Sequence, residues 1–447
     1  GFTEVVLNEG LTVLGNNALY ELPITEIRFP ASVASIGKSV LYGCKITEIV
    51  LAMDTVPQKL MEDCRDLRSV TLEEGVREIG KEAFDGCNYL ENISFPNSLE
   101  IVGESAFDFC FRLTSVELNE GLREICKYAF RYCGFPEIQL PSTLERIGHG
   151  AFSYTPLTGI EIPASVTEIG GYAFSSSALT TAAVPASVTN LGAYVFSDCT
   201  ALESAVLENG RTSVPSGTFS GCKALASVTL PETAVEIGDR AFGNCSVLAR
   251  IDLPEGLTVL GDRAFDGCMA LDGIVIPDGV TELGNDTFHF CWSLRCVTLS
   301  ENLKLIDSFA FEQCKSLQSL RLPASLERFG SGVFPYTPAL QEVILEGDAP
   351  ALINNQPIDP FRSEARTQPL KLYIREHATG YDKSPWTEYG ENLIILTEPA
   401  PPEPTAVPTA LSFTTELERS PQDDLILWVD TSLTYDESLL EDAAMAP

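Results

Sequence analysis

The sequence predicts an α/β solenoid: a curved parallel β-sheet of about 16 strands with short helices on its convex side. Three observations predict it. First, one phenylalanine recurs at a fixed short interval. Phe84, Phe107 and Phe130 are 23 apart, Phe152, Phe174 and Phe196 follow 22 apart, and Phe219 to Phe334 return to 23. A period of that length marks units that bury their apolar face only by stacking on copies of themselves. Second, the apolar pattern switches within each period. Third, cysteine recurs with the same spacing, at Cys64, Cys87, Cys110 and Cys133 and again from Cys199 to Cys314.

Each segment of the unit follows from its pattern. In Ile79-Gly-x-x-Ala83-Phe84-x-x-Cys87 the apolar residues fall at i, i+4, i+5 and i+8, one face of a short helix. Leu90-x-x-Ile93-x-Phe95 then alternates apolar and polar, as does a strand with one buried face. Pro96 ends it, having no N–H for a ladder. The order is strand, Pro turn, extended return, helix, turn, and successive strands must be parallel. Val56-Pro57 and Val214-Pro215 replace Ile-Gly in two units, which read as local irregularities in one stack.

Composition excludes several classes. The chain of 447 residues carries 63 acidic against 29 basic side chains, a net charge of −34. Nucleic acid and anionic membrane surfaces repel such a chain. No apolar run approaches the roughly 20 residues that span a bilayer, so no membrane insertion is expected. Phe2-x-x-Val5-x-Leu7 already reads as the strand of a unit, so the sequence is expected to be a processed or trimmed piece. The lack of a signal segment then leaves the compartment open.

Apart from Cys126 and Cys296, the thirteen cysteines read as a column of small buried apolar groups rather than a disulfide ladder or metal sites, because the count is odd and one per unit gives no Cys-x-x-Cys pair. Tyr154 and Ser176 or Ser177 stand near the place where the column lapses. Cys126 and Cys296 lie off it and are expected to be the reactive thiols. The glycines read as turn residues. His149 and His289 are six units apart, roughly 30 Å at strand spacing, and share no site. Both read as surface residues. His-Glu-x-x-His, Gly-x-Ser-x-Gly and phosphate-loop motifs are missing from the sequence. The expectation is no enzyme, no cofactor and no metal.

The units resemble the BspA-like (Treponema-type) leucine-rich repeats of bacterial surface proteins, most clearly in Ile237–Pro254 and Leu260–Pro277. The resemblance covers about residues 2 to 397. It implies a leucine-rich-repeat solenoid and a secreted or cell-surface protein of the adhesion and protein-binding class, without catalytic residues. It also implies that Leu370-Lys-Leu-Tyr373-Ile374, Gly380-Tyr381, Trp386 and Tyr389 close the array. The expected domains are a repeat array over 1–345 (about 15 units of 20–23 residues), a capping segment over 346–397, a Pro-rich linker over 398–410, and 411–447. The last is an acidic tail or the start of a further module, with Leu425–Val429 as a candidate strand.

Specificity on such a scaffold is expected beside each strand Ile, where the repeat does not dictate the residue. The columns there hold no aromatic residue, which disfavours a sugar site. Val206, Arg250, Asp252, Val275 and Arg321 are the candidate contacts for an extracellular protein ligand, with the chain itself a monomer. The competing expectation is a structural spacer presenting another, glycan-active, domain beyond the Pro-rich linker.

Overall fold

The computed structural model describes residues 4–352, 360–363 and 365–396. The predicted Pro-rich linker and acidic tail lie outside the described residues. The array is a parallel β-solenoid of about 16 coils. Its predicted strand ladder is present, with Glu48–Leu51, Ser69–Leu72 and Asn92–Ser94 among its members. In Glu48–Leu51 the residues Ile49 and Leu51 are buried while Glu48 and Val50 face out. Among the described residues the ladder is four hydrogen-bonded stretches rather than one sheet of 16 strands, over 48–94, 181–229, 273–298 and 319–396, and Arg250 and Asp252 fall in a gap between two of them. The longest gap, from Ser94 to Thr181, takes in Pro136. Thr158 donates to the Pro136 carbonyl at 3.0 Å, yet Pro136 has no N–H to return to the preceding coil.

The extended return forms a second parallel ladder of two-residue strands. Seven of them run in unbroken order from Thr55–Val56 to Asn190–Leu191. Each Ile of the Glu-Ile step is paired with the same position one coil on, as Ile125 is with Ile147.

The predicted convex helices are absent among the described residues. Turns stand in their place, and the helix found among the described residues is a 3-10 segment at Trp386–Asn392. The reason is the backbone hand. Glu82 and Gly86 have φ of 56° and 72°, and the same two positions are left-handed in nearly every coil. A right-handed helix cannot pass through a left-handed residue every fourth step. Hydrogen bonding alternates accordingly. Glu82, Phe84 and Gly86 donate to the next coil at 2.8–2.9 Å, while Ala83, Asp85 and Cys87 close tight turns at 3.2–3.4 Å. The cross-coil bonds and stacking must together outweigh a left-handed non-glycine, roughly 1–2 kcal/mol each.

The core is columnar. Thirteen phenylalanines from Phe84 to Phe361 stack face to face, their centroids 4.9–5.8 Å apart. Phe361 enters from beyond the last regular unit. Lys371–Arg375 and Leu393–Leu396 then extend the strand ladder, and Tyr381 and Trp386 are buried beside them. The cysteine column is buried and its thiols are free. Each thiol serves a definite purpose: Cys245 Sγ donates to the Phe219 carbonyl at 3.2 Å, and Cys268 repeats the contact with Phe242. Where the column lapses, Thr155 and Thr337 hydroxyls bind Phe152 and Phe334 carbonyls, so Thr155 rather than Tyr154 takes the place.

One glycine column has a different cause from the predicted one. Gly103 of the Ile-Gly step does not adopt positive φ; a Cβ there would sit 2.4 Å from the Ile79 carbonyl of the preceding coil. Close approach of backbones, not turn conformation, selects glycine at that point.

Candidate functional site

The strand ladder places the predicted contacts as follows. Val206 and Val275 stand outward on Ser204–Leu207 and Gly273–Val275, 41% and 50% exposed. Arg250 and Asp252 flank buried Ile251 and are exposed. The Arg250 guanidinium lies 3.6 Å from Asp272. By the 23-residue spacing Val206, Asp252, Val275 and Arg321 share one column. Arg321 differs in kind. It is half-buried, donating to Glu301 at 2.7 Å and to Glu346 at 3.0 Å, while Arg375 also binds Glu346. Those carboxylates hold its pKa above the ordinary value, Glu346 foremost. Burial pulls the Glu346 carboxyl up, but Arg375 and Arg321 outweigh it and leave it low. Arg321 therefore braces the end of the array.

The column is not free of aromatics. Tyr373 pairs with Ile344 in the ladder, and its hydroxyl donates to Glu342 at 3.2 Å.

A second feature lies on the turn face and escapes the strand-centred reading. Between the two left-handed positions of each coil, the residue just after the column Phe is polar in most coils and lies on the turn side of the core, buried at Asp108, Ser153, Ser175 and Ser197 and half-buried at Asp85, Asp266, His289 and Glu312. In chain order these are Asp85, Asp108 and Arg131, then Ser153, Ser175, Ser197 and Ser220, then Asp266, His289 and Glu312. The left-handed positions themselves carry large rings. Tyr172 and Tyr194 stack at 4.9 Å, and Tyr132 and Tyr154 at 4.6 Å. His149 lies between Tyr128 and Tyr172, half-buried rather than on the surface; burial, then Lys127, lowers its pKa. A groove of about 440 Å³ runs between the two ring columns over the serine hydroxyls. Tyr128 lies across Gly150, where a Cβ would meet its ring at 2.4 Å. The sequence signal for this face is the 22-residue spacing of Tyr172 and Tyr194, and of Tyr132 and Tyr154.

At one end of the turn face charged groups from successive coils lie close together. Asp108 is almost fully buried, and burial raises its carboxyl against the pull of Arg131. The Arg131 guanidinium lies 4.2 Å from the Tyr128 ring centroid. Asp85 is pushed up to about 7 by burial, then by Asp108, Glu62, Glu82 and Asp63. Cys126, expected to be reactive, is pushed up to about 12 by burial and then by Glu124. Its thiolate is scarce at neutral pH, so the expectation does not hold.

Parallel coils of 21–23 residues, parallel strand pairing from coil to coil and a leucine core define a leucine-rich-repeat scaffold. The chain belongs to the BspA type leucine rich repeat region family, whose six-copy pattern matches residues 1–110, 77–203, 123–249 and 212–341. A leucine-rich repeat protein from Bacteroides ovatus is similar in fold, with 22% identity and a TM-score of 0.55 over 79% of this chain and 94% of that one. A leucine rich cell surface protein from Faecalibacterium prausnitzii aligns at 25% identity and a TM-score of 0.41, covering 70% of this chain and 88% of that one. The pneumococcal vaccine antigen PcpA aligns at 20% identity and 0.39, covering 75% and 80%. No curated protein matches the chain. Among the described residues no helix is long and apolar enough to cross a membrane.

Proposed function

We propose that this chain is a non-catalytic binding protein of a bacterial cell surface that holds an extracellular protein partner along its strand ladder. The observation that carries this reading is the exposed aliphatic set of the ladder: Val50, Val206 and Val275 stand 57%, 41% and 50% exposed, each on a hydrogen-bonded stretch of it. Apolar groups on a preorganised sheet, flanked by Arg250 and Asp252, suit a broad protein contact with little ordering cost. The family's link to adhesion and protein binding supports the same class. Capture of purified extracellular-matrix and bacterial surface proteins tests it. Val206→Asp with Val275→Asp and Arg250→Glu is expected to weaken capture at least about tenfold, as loss of a contact core does. Unchanged capture sinks the ladder assignment. Arg321 is left intact in that test, because changing it disturbs the Glu346 network.

The tyrosine-walled groove favours a second reading, with the partner on the turn face. Tyrosine is enriched in protein contacts. Tyr154→Ala with Tyr172→Ala separates the two: either this pair or the ladder triple weakens capture, and the other set leaves it unchanged.

A further inference from the structure

We propose that the turn face holds a divalent transition-metal ion of the zinc class, bound by His289, Asp286 and Glu312.

The ligand atoms of these three side chains lie within 4.8 Å of one another. His289 is the key to the arrangement. Its Nδ1 is 2.9 Å from Asp266 Oδ1, one coil back, and Asp266 is not among the three ligands. That contact holds the imidazole with Nδ1 as donor, leaving Nε2 with a lone pair directed at the site. A carboxylate behind a histidine is the usual outer support of a metal-bound imidazole. Nε2 is 3.7 Å from Glu312 Oε2, too long for a hydrogen bond. It is close to the separation of two ligand atoms that each lie about 2.0–2.2 Å from a shared zinc ion. Asp286 completes the set from the left-handed position of the same coil, with φ of 54°. Both of its contacts to Arg263, at 3.0 Å, go to Oδ2.

Charge and burial point the same way. Three carboxylates, Asp266, Asp286 and Glu312, surround one imidazole, and one cation, Arg263, offsets them. Asp286 and Glu312 side chains are only 12% and 22% exposed, so water screens that surplus poorly. One imidazole with two carboxylates suits zinc or manganese better than an all-oxygen calcium site. Three protein ligands leave a position for water.

The test is titration of the full chain with Zn²⁺, and with Co²⁺ as a spectroscopic probe. One ion per chain is expected, with visible Co²⁺ bands of a low-coordinate site. His289→Gln and Glu312→Gln each are expected to weaken Zn²⁺ binding by more than about tenfold, and Asp266→Asn by about tenfold through loss of the outer support. His149→Asn, on the other histidine of the turn face, leaves binding unchanged. Far-ultraviolet circular dichroism checks that each variant keeps its fold, and the milder Asp266→Asn serves where His289→Gln fails. Absence of Zn²⁺ and Co²⁺ binding overturns the proposal. So does binding that survives both His289→Gln and Asp266→Asn, which would make His289 a simple ion-pair partner of Asp266.

Discussion

Arg131 Nε donates to Asp108 Oδ1 across 3.0 Å from one coil to the one before it, and Nη2 closes a second contact to Oδ2. The carboxylate is buried, and the guanidinium is layered against Tyr128, Phe109 and Tyr132. The pair thus ties the acidic end of the turn face to the tyrosine groove.

Breaking that pair from one side leaves a buried carboxylate alone. Arg131→Met is expected to cost about 3 kcal/mol, the low end for a buried pair because the guanidinium is partly in water. Adding Asp108→Asn to it restores most of the loss. Urea unfolding of the single and double variants measures both; equal stability of wild type and Arg131→Met refutes the account.

Asp85 gives the array a stability that depends on pH. Its folded carboxyl titrates near 7 rather than at the ordinary 3.8, so between those values the folded chain keeps a proton that the unfolded chain has lost. Folding is favoured by the bound proton, and stability falls as pH rises from about 4 through 7. Asp85→Asn removes that slope and is expected to gain about 1–2 kcal/mol at pH 8 after allowance for solvent screening. Unfolding midpoints at pH 5 and pH 8 decide it, since a variant with the wild-type slope excludes Asp85 as the source.

Arg211 is a buried cation that has no carboxylate in direct contact among the described residues. Nη1 donates to the Glu208 carbonyl at 2.7 Å, and Nη2 to Pro185 at 2.8 Å and Val188 at 3.3 Å. Burial lowers its pKa and Glu208 opposes that. Arg211→Met strips three carbonyls of their donor, with an expected loss of about 3 kcal/mol. Arg211→Lys recovers only part of it, because an ammonium cannot span the same fork. Full recovery by lysine in chemical unfolding would show that charge alone matters.

Phe242 touches only Phe219 and Phe265 within its column, at 5.6 and 5.4 Å. Phe242→Ala is expected to cost about 3–5 kcal/mol through the cavity it leaves. In a stack whose units contact only their neighbours, the same defect uncouples the two halves. Hydrogen exchange should then show separate protection levels on the two sides of residue 242. A uniform drop along the whole array contradicts nearest-neighbour coupling.

The strand ladder was legible because its alternation is unambiguous: Ile49 and Leu51 in, Glu48 and Val50 out. The turn region was not. Ile79, Ala83, Phe84 and Cys87 satisfy a helical period and an in-and-out turn equally well. What separates them is the sign of φ at Glu82, a residue type that gives no warning of a left-handed backbone. Tyr373 was read as part of the closing segment but not as a member of the outward column, because the step from Glu342 to Lys371 is 29 residues and breaks the spacing that aligns the other columns. Arg321 was visible as an outward strand residue, but its partners Glu301 and Glu346 come from loops whose approach no periodicity encodes. Asp266, His289 and Glu312 were readable as neighbours of successive phenylalanines. Their convergence needed the coil stacking, since 23 residues separate each from the next.

The alternating turn bonds have an evolutionary corollary. Because Glu82, Phe84 and Gly86 spend their donors on the next coil, every coil presents the following one with the same row of groups. Steps of 21, 22 and 23 residues are all accepted within one register. A tandem duplication or deletion of one whole coil therefore leaves both flanking junctions intact, and the length of the array can drift by unequal crossing-over while its two ends stay fixed.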